Sequence, residues 1–186
     1  KPTIAQLVAT GFVRMNPTTA EGGAIPAEFQ AKNNFDRVET LGTALLGMSL
    51  TCARCHTHKY DPIPQTEYYK MMAFFNSTAE PSMDGNKYEF GPTIKAPSDI
   101  AAWNKWEALN IKHVSLTKQA SAKPELKEQA AAVAKEIAEF KKSFKPSLIA
   151  RDLPKPRETK LLERGEYNLP KGEPLKPDVF AVMGTL

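Results

Sequence analysis

The chain has 186 residues, of which 41% are hydrophobic and 25% are charged. This length allows one domain with a sizeable core, with or without an appendage, and the composition is not that of a disordered polyelectrolyte. The 25 Lys and Arg residues exceed the 21 Asp and Glu residues by only four, and no dense basic stripe with interleaved aromatic residues is present. Nucleic acid is therefore not an expected partner. No apolar run approaches the roughly 20 residues that span a membrane.

The first half of the chain predicts two helices on either side of a cysteine-containing segment. An apolar repeat that begins at Pro26 predicts a helix to Met48, which leads directly into Cys52. Residues 61–64 read Asp-Pro-Ile-Pro, a rigid connector that is not helical. A shorter helix is predicted after it, over Gln65–Asn76, because apolar side chains recur along one face.

Residues 98–145 predict an antiparallel helical hairpin inserted as an appendage to the main body. Apolar residues repeat at intervals of three and four in both arms, and Pro124 separates the arms. This seam includes His113, which we interpret as a packed helix residue. The seam is formed by Ala102, Trp106, Leu109, His113, Leu116 and Ala120 in the first arm and by Leu126, Ala130, Val133, Ile137, Phe140 and Phe144 in the second.

The last stretch, residues 146–186, is rich in proline and glycine and predicts mostly irregular structure. Its one strand-like run covers residues 159–164 and ends at Gly165. The resulting fold class is mainly α: a helical domain with long loops over residues 1–97, the hairpin insertion over 98–145, and an irregular linker that starts a following domain over 146–186. We expect the chain to be a fragment of a larger multidomain protein.

Both cysteines lie in the motif Cys52-Ala53-Arg54-Cys55-His56, whose spacing is that of c-type haem attachment. Two thiols one turn apart add to the two vinyl groups on one edge of a porphyrin, and the histidine that follows reaches the iron. The motif predicts one covalently bound haem c per chain, held by Cys52 and Cys55, with His56 as the metal ligand.

Two other chemistries are compatible with the same residues. Together with His58, the motif offers two thiols and two imidazoles, which is a sufficient ligand set for a structural zinc ion. The two cysteines also have the spacing of a redox-active or structural disulfide.

Charged and polar residues near the motif are candidates for contacts with a haem. Arg54 and Lys59 are close in sequence and are candidates to pair with the haem propionates, as are Arg14 and Arg37 further away. Each of the four is equally compatible with an ordinary solvated charge. His58 is too close to His56 to reach the opposite haem face, so a hydrogen bond to a propionate or near the iron ligand is expected. Among the methionines, Met15 is the best candidate for a distal ligand.

Several segments resemble the planctomycete-type cytochrome c family, in the domain called planctomycete-specific cytochrome domain 2. The resemblance covers residues 5–80 and 147–186; this chain departs from it at Thr57, where the family usually has Asp, and at Met15, where it usually has Asn. It implies an exported, haem-containing chain that runs into a further planctomycete-specific domain. The segments that carry it are Arg14–Thr19, Glu21–Pro26, Asp36–Val38, Cys52–Ile63, Tyr68-Tyr69, Ala73–Asn76, Leu148–Leu153 and Leu162–Tyr167.

Three functional classes follow from these observations. The first is a monohaem c-type cytochrome domain of a larger exported redox protein, which passes electrons to a neighbouring cytochrome or redox domain in the periplasm or another extracytoplasmic space. The second is a haem-dependent oxidoreductase with an open distal site, acting on peroxide or an organic substrate. The third is a non-redox, zinc-binding interaction module.

Overall fold

The computed structural model describes residues 2–83 and 90–184. Residues 1, 84–89, 185 and 186 lie outside the description. Contacts divide the chain into two compact units, Lys1–Val8 with Thr93–Ser147 and Ala9–Pro92 with Leu148–Leu186. The described part is mainly α, as the sequence predicts. Its helices are α1 (Ile4–Ala9), α2 (Pro26–Leu41), α3 (Gln65–Asn76), α4 (Ile100–Ala120) and α5 (Leu126–Phe140). Its short strands are β1 (Thr93–Ala96), β2 (Lys145–Leu148), β3 (Leu161–Leu162) and β4 (Pro170–Lys171).

The smaller unit is built on the two helices α4 and α5. The Asp99 side chain caps α4 by accepting a hydrogen bond from the amide of Ala102 at 2.8 Å. The two helices pack through one apolar seam, and β1 pairs with β2 in a two-stranded sheet. The seam contains the buried Leu109, Val133 and Ile137 with Trp106, Leu116 and Phe140 packed against them.

The larger unit has its core between α2 and α3. Pro26 occupies the first turn of α2, where its missing N–H has no helical partner to lose, and Glu28 adds a favourable negative charge to that turn. α3 has the bounds that the apolar repeat predicts. The core contains Ala31, Phe35, Val38, Leu50, Ala53, Ile63, Tyr68, Tyr69, Met71, Met72, Leu162 and Phe180.

α2 is shorter than the sequence pattern predicts. It ends at Leu41, and the chain then forms a π-helical turn over Gly42–Leu46 instead of continuing into the cysteine segment. The turn closes at Gly47, whose φ of 65° is left-handed and ends the helix. The absence of a side chain on Gly42 lets Leu50 pack directly on the backbone there. The helical backbone stops at Leu46, short of the predicted end at Met48, because the left-handed Gly47 ends it.

The strand expected over residues 159–164 is also shorter than predicted. Only Leu161 and Leu162 pair, antiparallel, with Lys171 and Pro170. The chain then turns sharply at Arg164 and Gly165, whose φ values of 54° and 77° are left-handed. This turn interrupts the extended run and directs the following residues back toward β4.

Among the described residues, no helix is both long and apolar enough to cross a membrane.

Candidate functional site

The cysteine motif lies on a turn whose backbone is anchored in the core while its reactive side chains face outward. A short 3₁₀ helix covers Thr51–Arg54. The side chains of Leu50 and Ala53 are buried in the core of the larger unit. Cys52 and Cys55 are free and exposed. Both thiols are therefore accessible to a reactant without any opening of the fold.

Hydrogen bonds fix the backbone of this turn from inside and from α3. Within the turn, the Cys52 carbonyl accepts from the amides of Cys55 and His56 at 3.3 and 3.4 Å. From α3, the Gln65 side-chain amide and the Tyr69 hydroxyl both donate to the Arg54 carbonyl at 2.9 Å. The spacing of the thiols is thus set by bonds to a core helix and not by the motif alone.

The Arg54 side chain points toward α2 and makes an ion pair there. Its guanidinium lies 3.4 Å from the Glu39 carboxylate and 5.0 Å above the Phe35 ring. The same carboxylate accepts hydrogen bonds from the Tyr68 hydroxyl at 3.0 Å and the Thr51 hydroxyl at 3.1 Å. This Glu39 cluster connects α2, α3 and the turn, and the propionate contact expected of Arg54 stays a prediction.

The two tyrosines beside the turn are held in their neutral form. Burial raises the pKa of Tyr68, and the neighbouring Glu39 carboxylate raises it further. Burial likewise raises the pKa of Tyr69, with a second contribution from the nearby Cys55. Both phenols consequently act as hydrogen-bond donors to the groups that surround the motif.

The two histidines of the segment have different environments. His56 is exposed, and its Nδ1 lies 2.7 Å from the Thr57 carbonyl oxygen. Because a carbonyl oxygen only accepts hydrogen bonds, this contact assigns the proton to Nδ1 and leaves the Nε2 lone pair available to a metal. His56 is therefore an exposed side chain with one ring nitrogen available to a metal, and it directly follows Cys55 in the sequence.

His58, by contrast, has a buried side chain and holds the following loop. Its Nδ1 accepts a hydrogen bond from the amide of Asp61 at 2.9 Å, and its amide donates to the Ile63 carbonyl at 3.0 Å. The Asp61 carboxylate lies 3.3 Å from the same ring nitrogen, but the shorter amide contact makes Nδ1 an acceptor.

The nearby Lys59 places its ammonium 5.1 Å above the exposed ring of Tyr60.

A wall of the site comes from the C-terminal segment and was missed by sequence reasoning. An ideal Cβ added at Gly165 would lie 3.1 Å from Arg54 Cγ and 3.3 Å from Cys55 Sγ. The turn Glu163–Gly165 therefore packs directly on the second cysteine of the motif. Gly165 is the signal that the sequence offers for this turn. It lies in the segment 162–167, which the sequence analysis assigns to the start of a following domain.

The donor set fits covalent haem attachment. Two accessible thiols and an imidazole with a free Nε2 are present in the required order, and all three belong to one rigid turn. A preassembled zinc site is not seen: within residues 2–83 and 90–184, no three His, Cys, Asp or Glu side chains come together around one point. His58 in particular has its Nδ1 engaged by the Asp61 amide.

Arg14 and Arg37 lie in a separate, buried cluster. Arg37 donates to Asn16, Thr78 and Glu80, and Arg14 donates to backbone carbonyls at Ile149 and Gly91. Burial lowers the pKa of Arg14. The residues around Arg37, which we call the Arg37 cluster, surround a small cavity of about 40 Å³. These arginines are structural in this arrangement, since every contact named here is within the protein.

The remaining candidates belong to other elements of the chain. Met15 has an exposed side chain in the loop after the first helical segment, whereas Met71 and Met72 are buried in the core. His113 lies on α4, in the smaller unit.

Comparison with known proteins gives one family. Residues 1–80 match PSCyt2, planctomycete-specific cytochrome domain 2, described as a protein of unknown function (DUF1549). The matched range contains the cysteine motif, the Glu39 cluster, and Arg37 with its hydrogen-bond partners Asn16, Thr78 and Glu80. The segments of resemblance at residues 147–186 lie outside it. Neither a curated protein nor a solved structure matches the chain.

Proposed function

We propose that residues 52–56 attach one haem c and that the chain works as a monohaem electron-transfer domain of a larger exported redox protein. The observation that carries the proposal is the geometry of the turn, which exposes Cys52 and Cys55 from a buried backbone beside the free Nε2 of His56. A bound haem supplies one-electron chemistry at an iron whose potential depends on its axial ligands and burial. The match of residues 1–80 to a cytochrome-associated family supports this assignment.

The residues around the turn have distinct roles in this proposal. Cys52 and Cys55 would hold the haem through thioether bonds, and His56 would provide a ligand to its iron. Arg54 and Glu39 hold the turn from behind through their 3.4 Å ion pair. Lys59 is exposed, and its ammonium is a candidate to pair with carboxylates at the haem edge. His58 holds the loop over residues 58–61 closed by accepting the hydrogen bond from the Asp61 amide.

Attachment of haem c takes place outside the cytoplasm, so the proposal includes a periplasmic or other extracytoplasmic location. The electron partner is a neighbouring redox domain or a separate cytochrome. An exposed attachment site supports such an exchange, because a haem edge at the surface shortens the path to a docked partner.

A second candidate function is a haem-dependent oxidoreductase acting on peroxide or an organic substrate. It is favoured by the surface position of His56, together with the burial of Met71 and Met72 in the core away from exposed ligands. An iron without a strong sixth ligand binds small molecules and activates peroxide, whereas a methionine or histidine ligand blocks both.

Mass spectrometry under denaturing conditions tests the first candidate on protein made in a host competent for haem attachment. We expect the chain to carry the mass of one haem, the variants Cys52→Ala and Cys55→Ala to carry one thioether each, and the double variant to carry none. His113→Ala, on another helix, is the matched control and keeps the haem. A haem-free mass for the unaltered chain contradicts the proposal.

Optical spectra of the same preparations separate the two candidates. A low-spin ferric spectrum that resists added imidazole supports electron transfer. A high-spin spectrum that shifts at once with imidazole or cyanide supports the oxidoreductase. Metal analysis that finds stoichiometric zinc in place of haem contradicts both.

A further inference from the structure

α4 has a second apolar face, on the side opposite to its contact with α5. The seam with α5 uses Leu109 on one side of the helix. On the other side, Ile111 and Val114 are 71% and 51% exposed. These two large aliphatic side chains, almost one helical turn apart, form a small apolar patch on a solvated face of α4.

The polar residues that flank this pair have an unusual order. Glu107 lies four residues before Ile111, and Lys118 lies four residues after Val114. At 3.6 residues per turn, these four side chains fall within an arc of about 60° around α4. They form one stripe, which we call the α4 stripe, with the order acid, aliphatic, aliphatic, base and intervals of four, three and four.

The intervals of four, three and four residues are the same in either direction along α4, whereas the order of the two charges is reversed. When a second copy of the helix lies antiparallel on the first, each Ile111 meets Val114 of the other copy. Glu107 then meets Lys118 of the other copy at both ends of the contact. The stripe is thus complementary to itself in shape and charge under a two-fold rotation, which is the requirement for an isologous interface.

The two end charges are unpaired in the part of the chain that the structure describes. Neither Glu107 nor Lys118 takes part in an ion pair among the residues that the structure describes, while Lys142 on the neighbouring surface pairs with Glu139 at 2.6 Å. A shallow groove of about 470 Å³ runs beside the apolar pair. It is lined by Asn110, Ile111, Val114, Ser115 and Lys118.

We propose that the α4 stripe is a homodimerisation surface, on which a second copy of this chain docks antiparallel through α4. The contact extends over eleven residues of helix, from Glu107 to Lys118, or about 16 Å, and is therefore small. Interfaces of this size belong to the weak, transient class. The dimer forms and dissociates readily, and its stability depends on ionic strength because its end pairs are exposed.

Sedimentation equilibrium of the full chain at low ionic strength, with reductant present to exclude disulfide-linked dimers, tests the interface. Val114→Ser removes the central contact and should abolish dimerisation. The matched control is Val182→Ser, at a valine that is 59% exposed in the other unit, and it should leave the dimer unchanged. Circular dichroism confirms that each variant retains its helix content.

Charge reversal identifies the orientation. Glu107→Lys and Lys118→Glu each place like charges at both ends, and each should raise the dimer dissociation constant on the order of tenfold. The double variant restores opposite charges and should recover the affinity, and an equimolar mixture of the two single variants should form a heterodimer. A chain that is monomeric at all accessible concentrations overturns the proposal, as does a dimer indifferent to Val114→Ser or to the single reversals.

Discussion

The Arg37 cluster and the cysteine turn are both parts of the larger unit, and they use burial in opposite ways. The Arg37 cluster places a guanidinium and the Glu80 carboxylate in the interior, where each depends on the other. The cysteine turn buries backbone and small side chains and leaves its reactive groups in solvent. Charged residues thus serve the fold in one region, while in the other the reactive residues are anchored to the core mainly through their main chain.

Removal of Glu80 is the largest test of this comparison. Glu80→Ala leaves the buried Arg37 without its counter-ion and should lower the free energy of unfolding by about 3–5 kcal/mol, measured by urea denaturation. The control is Glu158→Ala, which removes an exposed partner of Lys160 and should cost about 0–1 kcal/mol. Equal losses in the two variants would show that the cluster contributes nothing beyond a surface pair.

Gly165 tests whether the wall of the site positions Cys55. Gly165→Ala places a side chain in a left-handed position and against Cys55, and we expect a loss of about 1–2 kcal/mol together with a changed alkylation rate at Cys55 but not at Cys52. Gly172 has nearly the same φ, 76° against 77°, with nothing within 4 Å of an added Cβ. Gly172→Ala should therefore show a similar stability loss and unaltered alkylation. Identical alkylation in both variants would contradict a positioning role.

The two histidines provide the smallest test. His58→Ala removes the acceptor of the Asp61 amide and should cost about 1 kcal/mol, with faster proteolysis of the loop that follows. His56→Ala changes an exposed side chain and should alter stability by less than about 0.5 kcal/mol. If the two substitutions lower the free energy of unfolding by the same amount, the distinction between a structural His58 and an exposed, non-structural His56 is wrong.

Local patterns predicted the parts of the fold that depend on neighbours in sequence. The bounds of α3 followed from an apolar repeat between Pro64 and Ser77, and the two-thiol turn followed from the spacing of Cys52 and Cys55. Both are determined within one or two helical turns. The mainly α fold class was accessible for the same reason.

Contacts between distant segments account for what the sequence did not reveal. α2 gives way to a π turn at Gly42, where Leu50 packs on the backbone. Arg54 turns inward because its guanidinium pairs with Glu39 on α2. The closeness of Gly165 to Cys55 joins positions more than a hundred residues apart. A periodicity or motif in a single sequence does not encode a contact between residues so far apart in the chain. The sequence therefore did not predict that the turn at Gly165 forms a wall of the site.

The anchoring of the cysteine turn has a consequence for the order of events in the life of the chain. Because Leu50 and Ala53 are in the core while both thiols stay outside, chemical modification of the sulfur atoms requires no rearrangement of the interior. The polypeptide can reach its final shape first and be modified afterwards, or the reverse. The folded chain therefore keeps both sulfur atoms open to modification.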